Sequence, residues 1–245
     1  MNTNIIILLE KFNSIRNMNY VKSINNYNSG VGLTFEKLLG KEVDCFSMPD
    51  FEGIEIKTKV NNSKTPINLF KLTPNGSDFF ETKRILDLYG YYQNKNSKNK
   101  VFNATITANK LYKLRQNYFS LKLDYAKNRL IFLVFNKQKE LIDDSSFWEL
   151  SKIENVLLRK MKTLALINAN QKIINKQKFF WYYDIKIYEL IGFEKFLELL
   201  ENGKISITFS IDFFKSGKRI GKFHDHGTNF GIYIKDIEKL FKKIY

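Results

Sequence analysis

"PDFEGIEIKTK", Pro49–Lys59, is the stretch on which the reading of this chain turns. Ile54, Ile56 and Thr58 alternate with Glu55, Lys57 and Lys59, the period-two pattern of a half-buried β-strand. Pro49 stiffens the approach to Asp50, and Gly53 lets the chain turn sharply before Glu55. Glu55 and Lys57 would share one face of that strand, close behind Asp50. Two readings follow: a strand whose charges pair in solvent, or a nest of carboxylates and a lysine for a metal ion and a water nucleophile. Spacing alone leaves both standing.

The chemistry of the second reading wants these residue types. Hydrolysis of a phosphodiester needs a nucleophilic water, neutralisation of a phosphorane-like transition state and help for the leaving oxygen. Two carboxylates suit a hard divalent ion such as Mg²⁺, and a lysine beside them can orient water and offset phosphate charge. The acid-x-Lys triplet recurs at Glu81–Lys83 and Asp184–Lys186, so the triplet by itself proves little. Glu81 is explained as the partner of Asp78 in a helix capping box, and a helix sends residues i and i+2 to different faces. Asp184 has its nearest upstream aspartates, Asp143 and Asp144, far away in sequence. Glu55–Lys57 has both a strand and a nearby acid.

Just upstream, "SGVGLTFEKLLG" adds Glu36 on a short helix that ends at Gly40. Taken alone, Glu36 is an exposed helix residue. The glycines lack the Gly-Lys-Ser/Thr ending of a phosphate loop, which argues against ATP binding.

The rest of the chain frames this centre. Its 245 residues are enough for one large domain or two modest ones. Forty basic against 25 acidic residues give a net charge of +15, which points to a polyanionic partner or, more blandly, to a lysine-rich codon bias. No apolar run approaches the roughly 20 residues of a membrane span. "IIILL", Ile5–Leu9, lacks the flanks of a signal peptide. Cys45 is the one cysteine, so an internal disulfide and a cysteine-based zinc cluster are excluded. A soluble, cytoplasmic, basic protein is expected.

Periodicity predicts an N-terminal amphipathic helix (3–18), a loop (20–32), a helix over "LTFEKLLG", the strand above and a strand over "PINLFKLTP". A helix over "SDFFETKRILDLYG" and a mobile loop at Gln93–Lys100 come next. "YFSLKLDYAKNRLIFLVFN" reads as a hairpin, and "FWELSKIENVLLRKMKTLALINA" as a helix passing into an apolar run. "KFFWYYDIKIYEL" is a strand, "GFEKFLELLENG" a helix, and the tail after Lys204 reads as paired strands joined by a basic loop. A mixed α/β protein with a central sheet follows; strand order does not.

Both histidines lie in "FHDHGT", as His224 and His226, on one face if the segment is a strand. Zinc binding would need a third ligand from Cys45 or a carboxylate; a pair of satisfied core histidines is the blander alternative. The preceding loop, with Lys215, Lys218, Arg219 and Lys222, suits phosphate clamping or is merely a solvated turn.

The linked blocks "GVGLTFEKLLGKEVD…PDFEGIEIKTK…INLF" and "SGK…GKFHDHGTNF" resemble the MvaI/BcnI restriction endonucleases, relatives of the mismatch-repair nickase MutH in the PD-(D/E)xK superfamily. The resemblance runs in order over nearly the whole chain. It implies a restriction-endonuclease-like PD-(D/E)xK core, a mixed α/β fold whose central mixed sheet is flanked by helices, plus a strand-rich DNA-recognition lobe. Residues 1–150 would be mainly catalytic and 151–245 mainly recognition, with interleaving allowed. By the same resemblance Asp50 and Glu55 hold metal, Lys57 is the catalytic lysine, and Glu36 completes the site. The implied cofactor is Mg²⁺, with Mn²⁺ able to stand in. The implied activity is type II cleavage of double-stranded DNA by a monomer that nicks one strand per engagement, alongside a cognate DNA methyltransferase. The His-Asp-His-Gly block is implied to face the duplex.

The chain departs from the family where G·C readers carry an acid and arginines: it has Thr208, Ser210 and Gly231 there. Arginine forked on guanine is the commonest specific base contact, so a target without the usual CC/GG flanks is expected. Ser210, Asp212, Lys215 and Asn229 become candidate readers. A MutH-like repair nickase and a silent DNA-binding module that kept the fold are the rival readings.

Overall fold

The computed structural model describes residues 2–40, 48–75, 81–214 and 217–245. Cys45, Asp78 and Lys215, on which parts of the sequence reading rest, lie outside them.

The chain runs α1 (Thr3–Asn17), β1 (Val21–Lys22), α2 (Gly30–Leu38), β2 (Ile54–Val60), β3 (Ile67–Lys71), α3 (Glu81–Tyr89), β4 (Phe102–Ile106) and β5 (Tyr112–Leu114). It continues through β6 (Asn117–Asp124), β7 (Arg129–Phe135), β8 (Leu141–Glu149), α4 (Leu150–Met161), β9 (Thr163–Ile174) and β10 (Gln177–Leu190). The last elements are α5 (Phe193–Glu201), β11 (Ile205–Phe213), β12 (Phe223–Asp225), β13 (Asn229–Ile232), α6 (Ile237–Leu240) and β14 (Phe241–Lys243). This is a mixed α and β fold. It forms two compact units, and the backbone passes between them several times.

The first unit comprises Met1–Ile67, Leu157–Gly192 and Ile237–Tyr245. Its sheet has the order β1-β10-β9-β2, with β14 also on β10. It is mixed: β2 pairs in parallel with β9, which is antiparallel to β10. Helix α1 begins where the Asn2 side chain accepts from Asn4 N at 3.0 Å. Its stripe of Ile5, Leu8, Phe12 and Ile15 is buried with Phe35 of α2, Ile54 and Ile56 of β2, and Tyr182 of β10. Helix α2 starts inside the expected loop, at Gly30. A Cβ there would lie 2.5 Å from Ser23 Oγ and 2.7 Å from Asn25 O, so glycine is what lets the helix begin so close to β1.

The second unit comprises Asn68–Val156 and Phe193–Asp236. It holds a sheet of order β12-β11-β13-β3, with β4 also on β11, and a separate meander β5-β6-β7-β8. Its core is aromatic: Phe119 stacks on Phe132 at 5.6 Å, Phe132 meets Phe209 at 5.1 Å, and Trp148 lies edge-on to Phe230 at 5.7 Å. The buried indole N–H of Trp148 donates to Leu72 O at 2.8 Å. Much of the chain's aromatic content thus fills one core.

Two sequence expectations need correction. Phe147–Glu149 end strand β8, and the helix begins only at Leu150; Trp148 is drawn into the aromatic core, which overrides the local helical pattern. Strands β4 and β5 lie in a region left unassigned. Glu81 is 1% exposed and accepts from Arg84 Nε at 2.8 Å and from the Ser146 hydroxyl; Asp78, its expected capping partner, lies outside the described residues.

Candidate active site

The turn that opens β2 does what its glycine suggested. Phe51 N donates to Ile54 O at 2.9 Å and Ile54 N to Phe51 O at 2.7 Å. Glu52 and Gly53 between them both have positive φ, 43° and 83°, the sign pattern of a type I′ turn. The turn is tied down from α1, where Asn4 Nδ2 donates to Glu52 O at 3.0 Å. It folds Asp50 back onto the strand, so that its Oδ2 accepts from Ile56 N at 3.0 Å.

Glu55 departs from the simple amphipathic picture. It is 1% exposed, although the alternation placed it on the outer face. Its Oε1 accepts from Lys57 Nζ at 2.5 Å, and Lys160 Nζ stands 3.6 Å from the same oxygen. Its Oε2 is buried with no hydrogen-bond partner. A buried carboxylate oxygen left without a donor is costly.

Lys160 was not singled out from the sequence. It arrives from the end of α4, just before β9, which pairs with β2 so that Glu55 lies opposite Leu164. No local pattern marks it; the signal is the crossover itself, which returns the chain to β2.

Of the acid-x-Lys copies, Glu55–Lys57 is the one that forms an internal pair. Lys83 bonds Asp87 at 2.5 Å while Glu81 takes Arg84, and Asp184 accepts from Asn168 at 2.8 Å. Glu36 is half-buried on α2, whose Gly32 packs against β2. A Cβ on Gly32 would sit 3.4 Å from Thr58 Oγ1 and 3.7 Å from Glu36 Oε1. Thr58 of β2 and Glu36 of α2 thus flank the same glycine. Glu36 also adds to the rise in the Tyr182 hydroxyl pKa, which burial causes first. That hydroxyl donates to Val31 O at 2.7 Å and pins α2 to the sheet.

The remaining expected residues belong to the second unit. Along β11 the side chains alternate: Ile205, Ile207, Phe209 and Ile211 are buried, while Thr208, Ser210 and Asp212 on the other face are half-exposed. Neighbouring strands extend that polar face through cross-strand partners. Asp212 is opposite His224, Thr208 opposite Asn229, and Ser206 opposite Gly231. On the other side, β4 sets Asn103 beside Ser210 and Thr105 beside Thr208, with the two threonine hydroxyls 3.0 Å apart. Asn68 Nδ2 donates to Asn229 Oδ1 at 2.7 Å, and the Asn229 amide donates to Gly227 O at 2.9 Å. Asn68, Asn103 and Thr105 were missed because β4 was not anticipated and because β3 reads as an ordinary strand.

His224 and His226 do share a face, with ring centroids 3.8 Å apart. Asp212 Oδ1 lies 3.0 Å from His226 Nε2 and 3.8 Å from His224 Nδ1. Burial, then the neighbouring His226, holds the His224 imidazole below its ordinary pKa. Lys218, Arg219 and Lys222 are exposed on the turn before β12. Arg219 lies over the Phe214 ring at 4.2 Å.

Comparison with known proteins adds an independent finding. A model of the MvaI/BcnI restriction endonuclease family matches residues 9–241. Among solved structures, the chain is similar to restriction endonuclease MvaI in its complex with cognate DNA substrate, with TM-score 0.92 and 28% identity over 99% of this chain and 98% of that one. It is also similar to restriction endonuclease MvaI in the absence of DNA, with TM-score 0.61 and 28% identity over 100% of this chain and 99% of that one. No curated protein matches it.

Proposed function

The chain belongs to the MvaI/BcnI restriction endonuclease family, and from that premise we propose that it is a type II enzyme cutting double-stranded DNA with Mg²⁺, one strand per engagement, as a monomer. The coarser statement, a site-specific DNA endonuclease, follows from the family. The observation that supports its divalent-ion part is the buried Glu55 carboxylate, with one oxygen on Lys57 and the other without a partner.

Glu55 Oε2 and the Asp50 carboxylate would hold the ion, an all-oxygen donor set that suits a hard cation of the PD-(D/E)xK type. When bound, Mg²⁺ supplies charge to the attacked phosphate and makes water a better nucleophile near neutral pH. Lys57 Nζ, fixed by Glu55, orients the attacking water and offsets charge building on the phosphate oxygens. Glu36 supports Lys57 or that water by a hydrogen bond. Asp50, tethered to Ile56 N, keeps its other oxygen directed by the turn rather than by a free rotamer.

Ser210, Asp212, His224, His226 and Asn229 would read bases, while Lys218, Arg219 and Lys222, with Lys215, would clamp phosphates. Thr208, Ser210 and Gly231 stand where relatives that read G·C place an acid and arginines, which supports a target without CC/GG flanks. A cognate methyltransferase would protect host DNA in the same cytoplasm.

Digesting a sequenced plasmid with the purified chain and Mg²⁺ or Mn²⁺, then mapping the ends, tests this reading. Discrete sites and their loss in Lys57→Ala are expected. No cleavage with either ion, or a Lys57→Ala variant that cuts normally, would overturn it; cuts confined to CC-N-GG-type sites would overturn the target.

A further inference from the structure

We propose that Asp212, His224 and His226 form a second cation site, which takes a borderline transition ion of the Zn²⁺ class rather than Mg²⁺. This goes beyond the nuclease reading and does not rest on it; it replaces direct base contact at these three residues, because ligand atoms held on an ion cannot also bond a base.

The geometry comes from strand register. Asp212 on β11 and His224 on β12 are direct cross-strand partners. His226 is two residues further on, and its N–H still bonds Ser210 O at 3.0 Å, so the pairing continues past the end of β12. All three side chains therefore converge on one face, and one ligand atom from each lies within 4.8 Å of the others. Tetrahedral Zn²⁺, with bonds of about 2.0–2.1 Å, sets its ligand atoms about 3.3 Å apart. The observed separations from Asp212 Oδ1, 3.0 Å to His226 and 3.8 Å to His224, bracket that value.

His226 is within reach of the carboxylate, but His224 Nδ1 at 3.8 Å is not, and yet it converges on the same oxygen. The His224 ring is held there by Phe214, stacked at 3.9 Å and 12°. The two imidazole nitrogens are borderline donors and the carboxylate oxygen a hard one; zinc takes both kinds, whereas magnesium keeps to oxygen. Arg219 opposes a cation here, while Asp225 favours one.

The test is a Zn²⁺ titration of the tag-free, metal-stripped full chain against a chromophoric chelator, repeated with a large excess of Mg²⁺. One ion should bind with a dissociation constant of about 1 μM or tighter, undisturbed by Mg²⁺. Asp212→Asn, His224→Ala and His226→Ala should each weaken it by at least the roughly 10–100-fold that losing an outer-shell partner costs elsewhere. Glu55→Gln should leave it unchanged. The three side chains are 18–43% exposed, so these variants spare the core. Co²⁺ in place of Zn²⁺ should give visible d–d bands in the parent chain that His226→Ala lacks. Absence of saturable Zn²⁺ binding, binding that survives all three substitutions, or binding lost in Glu55→Gln would overturn the proposal.

Discussion

Glu55→Gln separates structure from chemistry at the proposed catalytic carboxylate. Glutamine keeps the shape and one acceptor but removes the charge shared by Lys57 at 2.5 Å and Lys160 at 3.6 Å. Removing one partner of a fully buried pair costs about 3–5 kcal/mol. Here the two lysine side chains keep 25% and 22% exposure. Water therefore recovers part of the loss, and Gln Oε1 still accepts from Lys57, which brings the cost nearer about 1–2 kcal/mol. For a chain of this size that lowers Tm by about 2–8 °C. Catalysis should suffer far more, because the substitution removes an anionic ion ligand and loosens the anchor of Lys57 together. We expect at least a 10³-fold slower cut, about 4 kcal/mol in the barrier. Single-turnover nicking of supercoiled plasmid, read beside thermal melting and DNA binding without divalent ions, gives the three numbers. A variant that cuts within about tenfold of the parent, or whose loss merely follows its unfolded fraction, would refute the reasoning.

Lys160 lies beyond hydrogen-bond distance of Glu55 and acts through charge alone, so Lys160→Met should slow cleavage by about tenfold and Lys57→Met by more; the reverse order would exchange their roles. Asp143 accepts from Tyr89 at 2.6 Å and Arg84 at 2.8 Å. Burial alone would raise its pKa, but these bonds and those from Ser145 outweigh it and pull the group to about 2. Its folded pKa is the depressed one, so its contribution is present above about pH 4 and is lost as pH falls from 4 towards 2. Acid unfolding of Asp143→Asn should be flatter across that range, as circular dichroism against pH would show. Replacing Lys218, Arg219 and Lys222 by alanine should weaken DNA binding alike on all sequences and make the log K against log salt slope shallower by about 2–3; an unchanged slope would make the turn a bystander.

Local signals were readable where the energy is local. The alternation of Ile54, Ile56 and Thr58, the glycine at the I′ turn and the stripe of α1 are each set by neighbours a few residues away, and each matches the structure. The burial of Glu55 was not readable, because what covers it comes from α4 and β9. The same holds for the polar face of β11, half of which is lent by Asn103 and Thr105 of β4 and by Asn68 of β3. Trp148 shows the opposite failure: a tertiary pocket claimed a residue whose neighbours read as helix. The acid-x-Lys copies were ambiguous in sequence for a plain reason. Only folding decides whether a lysine meets its own acid or, like Lys83, the aspartate one helical turn on.

The parallel pairing of β2 with β9 has a consequence in time as well as in space. Strand β2 lies at the edge of its sheet, and β9 is its one sheet neighbour among the described residues. The two are separated by most of the second unit, a span on the order of a hundred residues whose closure costs about 4 kcal/mol of entropy before any pairing is gained. A chain still leaving the ribosome can make the turn that gathers Asp50 and Glu55, but it has no sheet to set them in until residues 163–169 have emerged. An endonuclease organised this way stays harmless to the DNA around it for most of its own synthesis.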